Sequence, residues 1–364
     1  MAMGPTFFAE IGTGKQQSAA PIMDKLNPLL PSRARDRNTT EAQLARSTVF
    51  SEIKMVEVSG QLLRVGIRRG KGSSPPLVVF NGIGANLELL EPFVKALNRI
   101  EVLVFDVPGI GGSPAPALPY RYPRLVQLTD QLLADLGYDG QVDALGLSWG
   151  GMLAQQYAYA NPRRCRRLIL AATSSGSIML PGRLSTTTPL ISPRRYEGAA
   201  PFKRRASQIY GRLLRRKADS LDPQVGRVRP PRGLGYVYQL AALWGWTSLP
   251  WLHRLRQPTL VMAGTDDPIV SLANAEMVAH LIPHAKLFTI DDGHLFLITR
   301  ANEVAPVIMR FLAEPFAEDG KLLVRRVGAR LRRLARRLRR MRRQRGPQID
   351  REEGRFNWEN IPGG

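Results

Sequence analysis

Ser148 stands at the centre of Gly146-Leu147-Ser148-Trp149-Gly150, after the apolar run Val142 to Leu145 and before a helical pattern through Gln155, Tyr157 and Ala160. Gly-x-Ser-x-Gly between a strand and a helix makes a turn sharp enough to expose a serine hydroxyl as a nucleophile. The glycines are required because the two backbones pass too close for a Cβ. The same turn aims the Trp149 N–H, in the first turn of the helix, at an oxyanion developing on an attacked carbonyl. Such a hydroxyl needs a base, and the base needs an acid to orient it. Of the four histidines, His294 alone follows a strand pattern (Ala285 to Ile290) in a glycine-containing loop, Asp291-Asp292-Gly293-His294. Asp267 follows the strand pattern 258–264 in Gly264-Thr265-Asp266-Asp267-Pro268 and is the preferred acid. Its neighbour Asp266, which points the other way, reads as a turn former, and Asp291 and Asp292 as loop or cap groups. The chain order Ser, Asp, His and the placement after strands match one arrangement of this triad on an open α/β sheet.

The mechanism these residues predict is acyl transfer through a covalent Ser148 ester. His294 takes and returns the proton, and Asp267 fixes the imidazole tautomer. The second oxyanion donor is expected from Asn81-Gly82-Ile83-Gly84, after the strand Leu77 to Phe80, as the backbone N–H of Ile83 paired with that of Trp149. Water resolves the acyl-enzyme, so the chemistry calls for no cofactor and no metal. His280 and His284 share a ligand-like spacing, but Pro283 breaks the helix between them. Asp106-Val107-Pro108-Gly109-Ile110-Gly111-Gly112-Ser113 resembles a phosphate loop in its glycines, yet Pro114, Pro116 and Pro119 forbid the helix that a dinucleotide site needs.

Alternating strands and helices must hold these groups. Ile53 to Glu57 and Gln61 to Ile67 read as strands around a Ser59-Gly60 turn. Leu77 to Phe80, Val102 to Phe105 and Leu168 to Ala172 read as buried strands, and Val142 to Leu145, 258–264 and Ala285 to Ile290 as further strands. Helical patterns lie at Leu87 to Leu97, Arg124 to Leu136, after Ser148, Ser271 to Ile282 and Glu303 to Leu312. The expected fold is a mostly parallel, doubly wound α/β sheet with an inserted helical cap. Its core comprises residues 52–173 and 257–313, its cap residues 174–256. The cap carries three of the five tryptophans, and Trp244 and Trp246, together with Asn81, are expected to line an apolar substrate channel. Residues 1–51 read as a flexible extension.

The 364 residues carry a net charge of +22, of which residues 321–345, with twelve arginines, one lysine and no acid, contribute +13. Val324, Val327, Leu331, Leu334, Leu338 and Met341 form one apolar stripe in that segment. A basic amphipathic helix on an anionic surface fits this better than a coiled coil, in which arginines would oppose each other. Nucleic acid is the competing partner, although charge concentrated in a tail (residues 314–364) argues against reading the whole chain as a nucleic-acid binder. The single cysteine, Cys165, excludes an intrachain disulfide and fits a reducing cytoplasm. Mean hydropathy is −0.17, and no apolar run reaches the roughly 18 residues of a membrane span. No secretory signal is expected at the N-terminus.

Several further runs resemble one family. These are Phe80-Asn81-Gly82-Ile83-Gly84-Ala85-Asn86-Leu87-Glu88-Leu89, Asp106 to Gly109, Tyr120 to Pro123, Ser148 to Gly151, Ser192 to Tyr196, Gly245 to Ser248 and Asp291 to Arg300. Together they resemble intracellular medium-chain-length poly(3-hydroxyalkanoate) depolymerases over residues 52 to 312. The resemblance implies an α/β-hydrolase fold, the triad Ser148, Asp267 and His294, and hydrolysis of a stored polyester at a granule surface in the cytoplasm. It does not extend to the N-terminal extension or the arginine tail. Related polyester synthases carry cysteine at the elbow, so Ser148 favours hydrolysis. An esterase or lipase acting on small or lipid esters is the alternative, and a granule- or nucleic-acid-associated structural protein a more distant one.

Overall fold

The computed structural model describes residues 49–72, 74–180 and 234–314. Among these, eight strands form one sheet: β1 (Glu52–Val58), β2 (Gln61–Arg68), β3 (Leu77–Phe80), β4 (Val102–Phe105), β5 (Val142–Leu147), β6 (Cys165–Ala171), β7 (Thr259–Gly264) and β8 (Ala285–Ile290). Their order is β1-β2-β4-β3-β5-β6-β7-β8. β1 and β2 form a hairpin whose turn residues Ser59 and Gly60 have φ of +49° and +76°, the left-handed pair whose twist matches the flanking strands. β2 also runs antiparallel to β4, and every later pairing is parallel. From β3 the chain moves outward to β4, then crosses back to β5 on the other side. That reversal opens a crevice at the carboxyl ends of β3 and β5, where open α/β sheets place their ligands.

The central strands β3, β4 and β7 are apolar and buried along their whole length because both faces of the sheet are covered there, whereas the edge strands β1 and β8 carry exposed positions. Val78, Phe80, Leu103, Phe105, Ala144, Leu168, Leu170, Val261 and Ala263 belong to one core, while Leu77, Val79, Val102, Val104, Leu145, Leu147, Ile169, Leu260 and Met262 belong to the other. The first core is closed by α2 (Tyr122–Asp135), α3 (Trp149–Ala160), α4 (Gly235–Leu243) and α5 (Leu272–Leu281); the second by α1 (Glu91–Ala96), α6 (Phe296–Thr299) and α7 (Ala301–Ala313). The structure is thus the doubly wound α/β arrangement expected from the alternation of elements.

Element limits differ in small ways. The helix expected from Arg124 starts at Tyr122, with Pro123 in the first turn, where a missing N–H costs nothing. The stretch Leu87 to Leu97 divides into a 3-10 turn, Leu87–Leu90, and α1, with Pro92 at the start of the helix. The short α6 has no counterpart in the sequence pattern. Packing against the sheet includes a residue before β1: Phe50 is buried, and its ring lies where a Cβ on Gly66 would come within 2.9 Å. Of the expected cap, residues 174–180 and 234–256 are described and 181–233 lie outside the described residues, as do the extension up to residue 48 and the basic stripe at 321–345. No described helix is long and apolar enough to cross a membrane.

Candidate active site

Ser148 links β5 to α3 with φ +55° and ψ −119°, a conformation that a non-glycine residue adopts only when its surroundings impose it. Several contacts do so. The Ser148 N–H donates to Ala171 O at 2.8 Å, and Ser148 O accepts from Gly151 N at 2.8 Å and from Thr173 Oγ1 at 2.7 Å. The flanking glycines are there for space. A Cβ on Gly146 would lie 2.2 Å from Gly150 O, and one on Gly150 would lie 2.2 Å from Phe80 O. Gly150→Ala is therefore expected to destabilise the fold by about 3 kcal/mol or more, since β3 must move to admit the methyl group. Gly140 serves as control, because a Cβ there would have no atom within 4 Å. Gly140→Ala is expected to be near neutral when the two variants are compared with the wild type by urea titration.

The serine hydroxyl meets the expected partners. His294 Nε2 is 2.9 Å from Ser148 Oγ, and His294 Nδ1 is 2.7 Å from Asp267 Oδ2. The side chains of His294 and Asp267 are almost wholly buried. A carboxylate offers only acceptors, so Nδ1 carries the hydrogen and Nε2 faces the serine as an acceptor. The other oxygen, Asp267 Oδ1, accepts from Ile269 N at 2.8 Å and Val270 N at 3.0 Å, which fixes the plane of the carboxylate.

Asp292 serves the loop that carries the histidine. Its Oδ1 accepts from Gly293 N at 2.7 Å and its Oδ2 from Thr299 Oγ1 at 2.5 Å. Its backbone O accepts from Asp266 N at 3.1 Å, joining the acid loop to the histidine loop. Asp291 accepts from Thr265 Oγ1 at 3.2 Å on the surface. The structure thus gives Asp291 and Asp292 the loop roles expected of them. Among the described residues no group of three or more His, Cys, Asp or Glu side chains is placed to hold a metal. Cys165 is buried, and burial raises its thiol pKa well above the ordinary value, as suits a packing residue.

The loop after β3 lies against the nucleophile: a Cβ on Gly82 would be 3.7 Å from Ser148 Cβ. The loop that carries Ile83 is thus adjacent to Ser148, and Trp149 opens α3, where N–H groups lack intrahelical acceptors. Asn81 is buried. Its Nδ2 donates to Asn86 O at 2.8 Å and its Oδ1 accepts from Gly82 N at 2.9 Å, so its amide braces this loop. The expected channel also includes two tryptophans, and cap residues 181–233 lie outside the described residues. Trp244 is 79% exposed at the end of α4. Trp246 packs on Tyr122 and Trp251 while its Nε1 donates to Gln156 Oε1 at 2.8 Å. Sequence periodicity identifies aromatic residues but not the direction in which a loop turns them.

Behind the loop lies a buried polar network. Arg64 donates to Glu88 Oε1 at 2.7 Å and to Asp106 Oδ2 at 3.3 Å, while Asp106 accepts from Leu87 N at 2.9 Å and Gly112 N at 2.8 Å. Burial pushes the Asp106 carboxyl up to about 6, against the pull of Arg64. The glycine-rich run after β4 thus wraps a carboxylate of this chain instead of a phosphate. A Cβ on Gly111 would lie 2.1 Å from Asp106 Oδ2.

A buried Asp–His–Ser relay at the carboxyl ends of three parallel strands is the arrangement of the serine hydrolases of the α/β class. The family model described as "alpha/beta hydrolase fold" matches residues 75–301. The enol-lactonase of Burkholderia xenovorans LB400 superimposes with a TM-score of 0.63 at 25% identity, covering 72% of this chain and all of the other. The pimeloyl-acyl-carrier-protein methyl ester esterase of Aromatoleum aromaticum is 30% identical over 252 residues, 64% of this chain and 96% of that protein. The poly(3-hydroxyalkanoate) depolymerase of Ectopseudomonas oleovorans is 50% identical over 262 residues, 72% of this chain and 92% of that protein. The chain belongs to the α/β-hydrolase superfamily and, within it, to the poly(3-hydroxyalkanoate) depolymerase family.

Proposed function

We propose that this protein hydrolyses the ester bonds of intracellular medium-chain-length poly(3-hydroxyalkanoate) through an acyl-enzyme on Ser148. The observation that carries the chemistry is the relay Asp267 Oδ2–His294 Nδ1 and His294 Nε2–Ser148 Oγ, at 2.7 and 2.9 Å. Ser148 Oγ attacks the ester carbonyl as its proton passes to His294 Nε2, and the imidazolium is stabilised by Asp267. Charge developing on the carbonyl oxygen is met by the N–H groups of Ile83 and Trp149. Collapse expels the alcohol oxygen, which takes the proton from His294. Water then repeats the sequence in reverse roles, leaving one new hydroxyl end and one new carboxyl end on the polymer and restoring Ser148.

The polymer as substrate is supported by the 50% identical relative, which bears that activity in its name. A latex of medium-chain polyester, assayed beside p-nitrophenyl esters, tests it. Clearing of the latex is expected; turnover of the small esters without clearing would leave a small-ester esterase. We also propose the granule surface as the place of action, with residues 321–345 as a basic contact for an anionic coat. Binding of the full chain to latex beads should then strengthen when the beads carry anionic phospholipid, and weaken again at high salt; equal binding to bare and coated beads would remove that role.

A further inference from the structure

We infer that Gln239 is a positioning residue for the oxyanion site, an assignment that rests on the ester-hydrolase reading above. Gln239 lies in the middle of α4, far in sequence from both loops that it touches. Its side-chain Oε1 accepts the Gly84 N–H at 2.7 Å, and its backbone O accepts the Trp149 indole Nε1–H at 2.9 Å. One residue therefore holds the loop that carries Ile83 and also the side chain of the residue that supplies the second amide.

The effect on Ile83 is specific. The Gly82 N–H is tied to Asn81 Oδ1 at 2.9 Å and the Gly84 N–H to Gln239 Oε1 at 2.7 Å. The amides on both sides of Ile83 are thus fixed by side chains, and Gly84 turns with φ +71°. A backbone donor aimed at a transition state works only if its direction is set before the reaction, and these two bonds set it.

Packing alone does not account for a glutamine here. Gln239 is completely buried, and among the described residues its Nε2 has no hydrogen-bond partner. A buried amide with an unpaired donor is costly, and an apolar side chain of similar size would avoid that cost. What such a side chain would lack is the acceptor for Gly84. The helix that presents Gln239 is itself held close. A Cβ on Gly235 would lie 2.0 Å from Gly109 O, and Arg121 donates to Ala241 O at 3.0 Å and Trp244 O at 2.8 Å. Gln239 thereby couples seating of α4 to the geometry of the oxyanion site.

Gln239→Met keeps the length of the side chain and removes the acceptor. With p-nitrophenyl esters, kcat is expected to fall roughly 10- to 100-fold with KM unchanged, because the lost interaction belongs to the transition state. Affinity for an alkyl boronic acid, which forms a tetrahedral adduct on the serine, should fall by a similar factor, while the thermal midpoint stays close to that of the wild type. Activity within threefold of wild type, or a fall in kcat with boronate affinity unchanged, overturns the assignment. If the variant does not fold, hydrogen exchange in the wild-type protein decides. Protection of the Gly84 amide comparable with that of the α3 interior is expected, and exchange as fast as in an exposed loop refutes it. Wild-type ester turnover judges the hydrolase reading separately from Gln239.

Discussion

Ser148→Ala is expected to lower kcat on p-nitrophenyl esters and on polyester by about 10⁵- to 10⁶-fold, or roughly 7–8 kcal/mol of barrier. KM should change little, since the hydroxyl enters the reaction and not substrate binding. The fold should survive. The hydroxyl bonds to His294, whereas the bonds that hold the strained turn run through the Ser148 backbone N–H and O, and alanine retains both. Because the relay acts as a unit, His294→Ala should cost a similar factor and the double variant scarcely more. Rates measured on a folded variant, with the thermal midpoint as check, decide the matter. A loss below about a hundredfold would remove Ser148 as nucleophile. What remains should be the contribution of the amides and of substrate binding.

Asp267→Asn is expected to cost about 10⁴-fold in kcat, the size found when this change is made in serine proteases with the same relay. The surroundings dictate why an isosteric change is so damaging. Oδ1 of residue 267 accepts from Ile269 N and Val270 N, so the asparagine must keep its carbonyl oxygen there. Its NH₂ group is left facing His294 Nδ1. Nδ1 then has to accept, the proton moves to Nε2, and the nitrogen facing Ser148 Oγ can no longer receive the serine proton. Asp292→Asn separates this from a general effect of charge. Asp292 directs its two carboxylate oxygens to Gly293 N and Thr299 Oγ1, so its loss should be far smaller. Equal losses in the two variants would argue that neither carboxylate orients the histidine directly.

The chemistry was legible in the sequence because it lies in short segments whose local geometry is set by residue type. Gly146, Gly150 and the change from strand to helix pattern define the elbow, and one histidine and one acid after later strands complete it. The alternating apolar strands likewise dictate a sheet covered on both faces, since runs such as Leu77 to Phe80 leave no polar face for water. Residue type does not say that Asn81 bonds to Asn86 O and Gly82 N, or Trp246 to Gln156, because only tertiary packing determines the direction of a side chain.

From the sequence alone came the fold class, the nucleophile, the base and the preferred acid, each written into local spacing and chain order. Tertiary structure decided what spacing cannot encode. It distinguishes Asp267 from Asp266, Asp291 and Asp292 by a 2.7 Å contact with His294, and it bonds Gln239 to Gly84 across 155 positions of chain. The physical reason is that catalysis depends on distances of about 3 Å between groups on different strands, and those distances exist only once the sheet has brought its strand ends together.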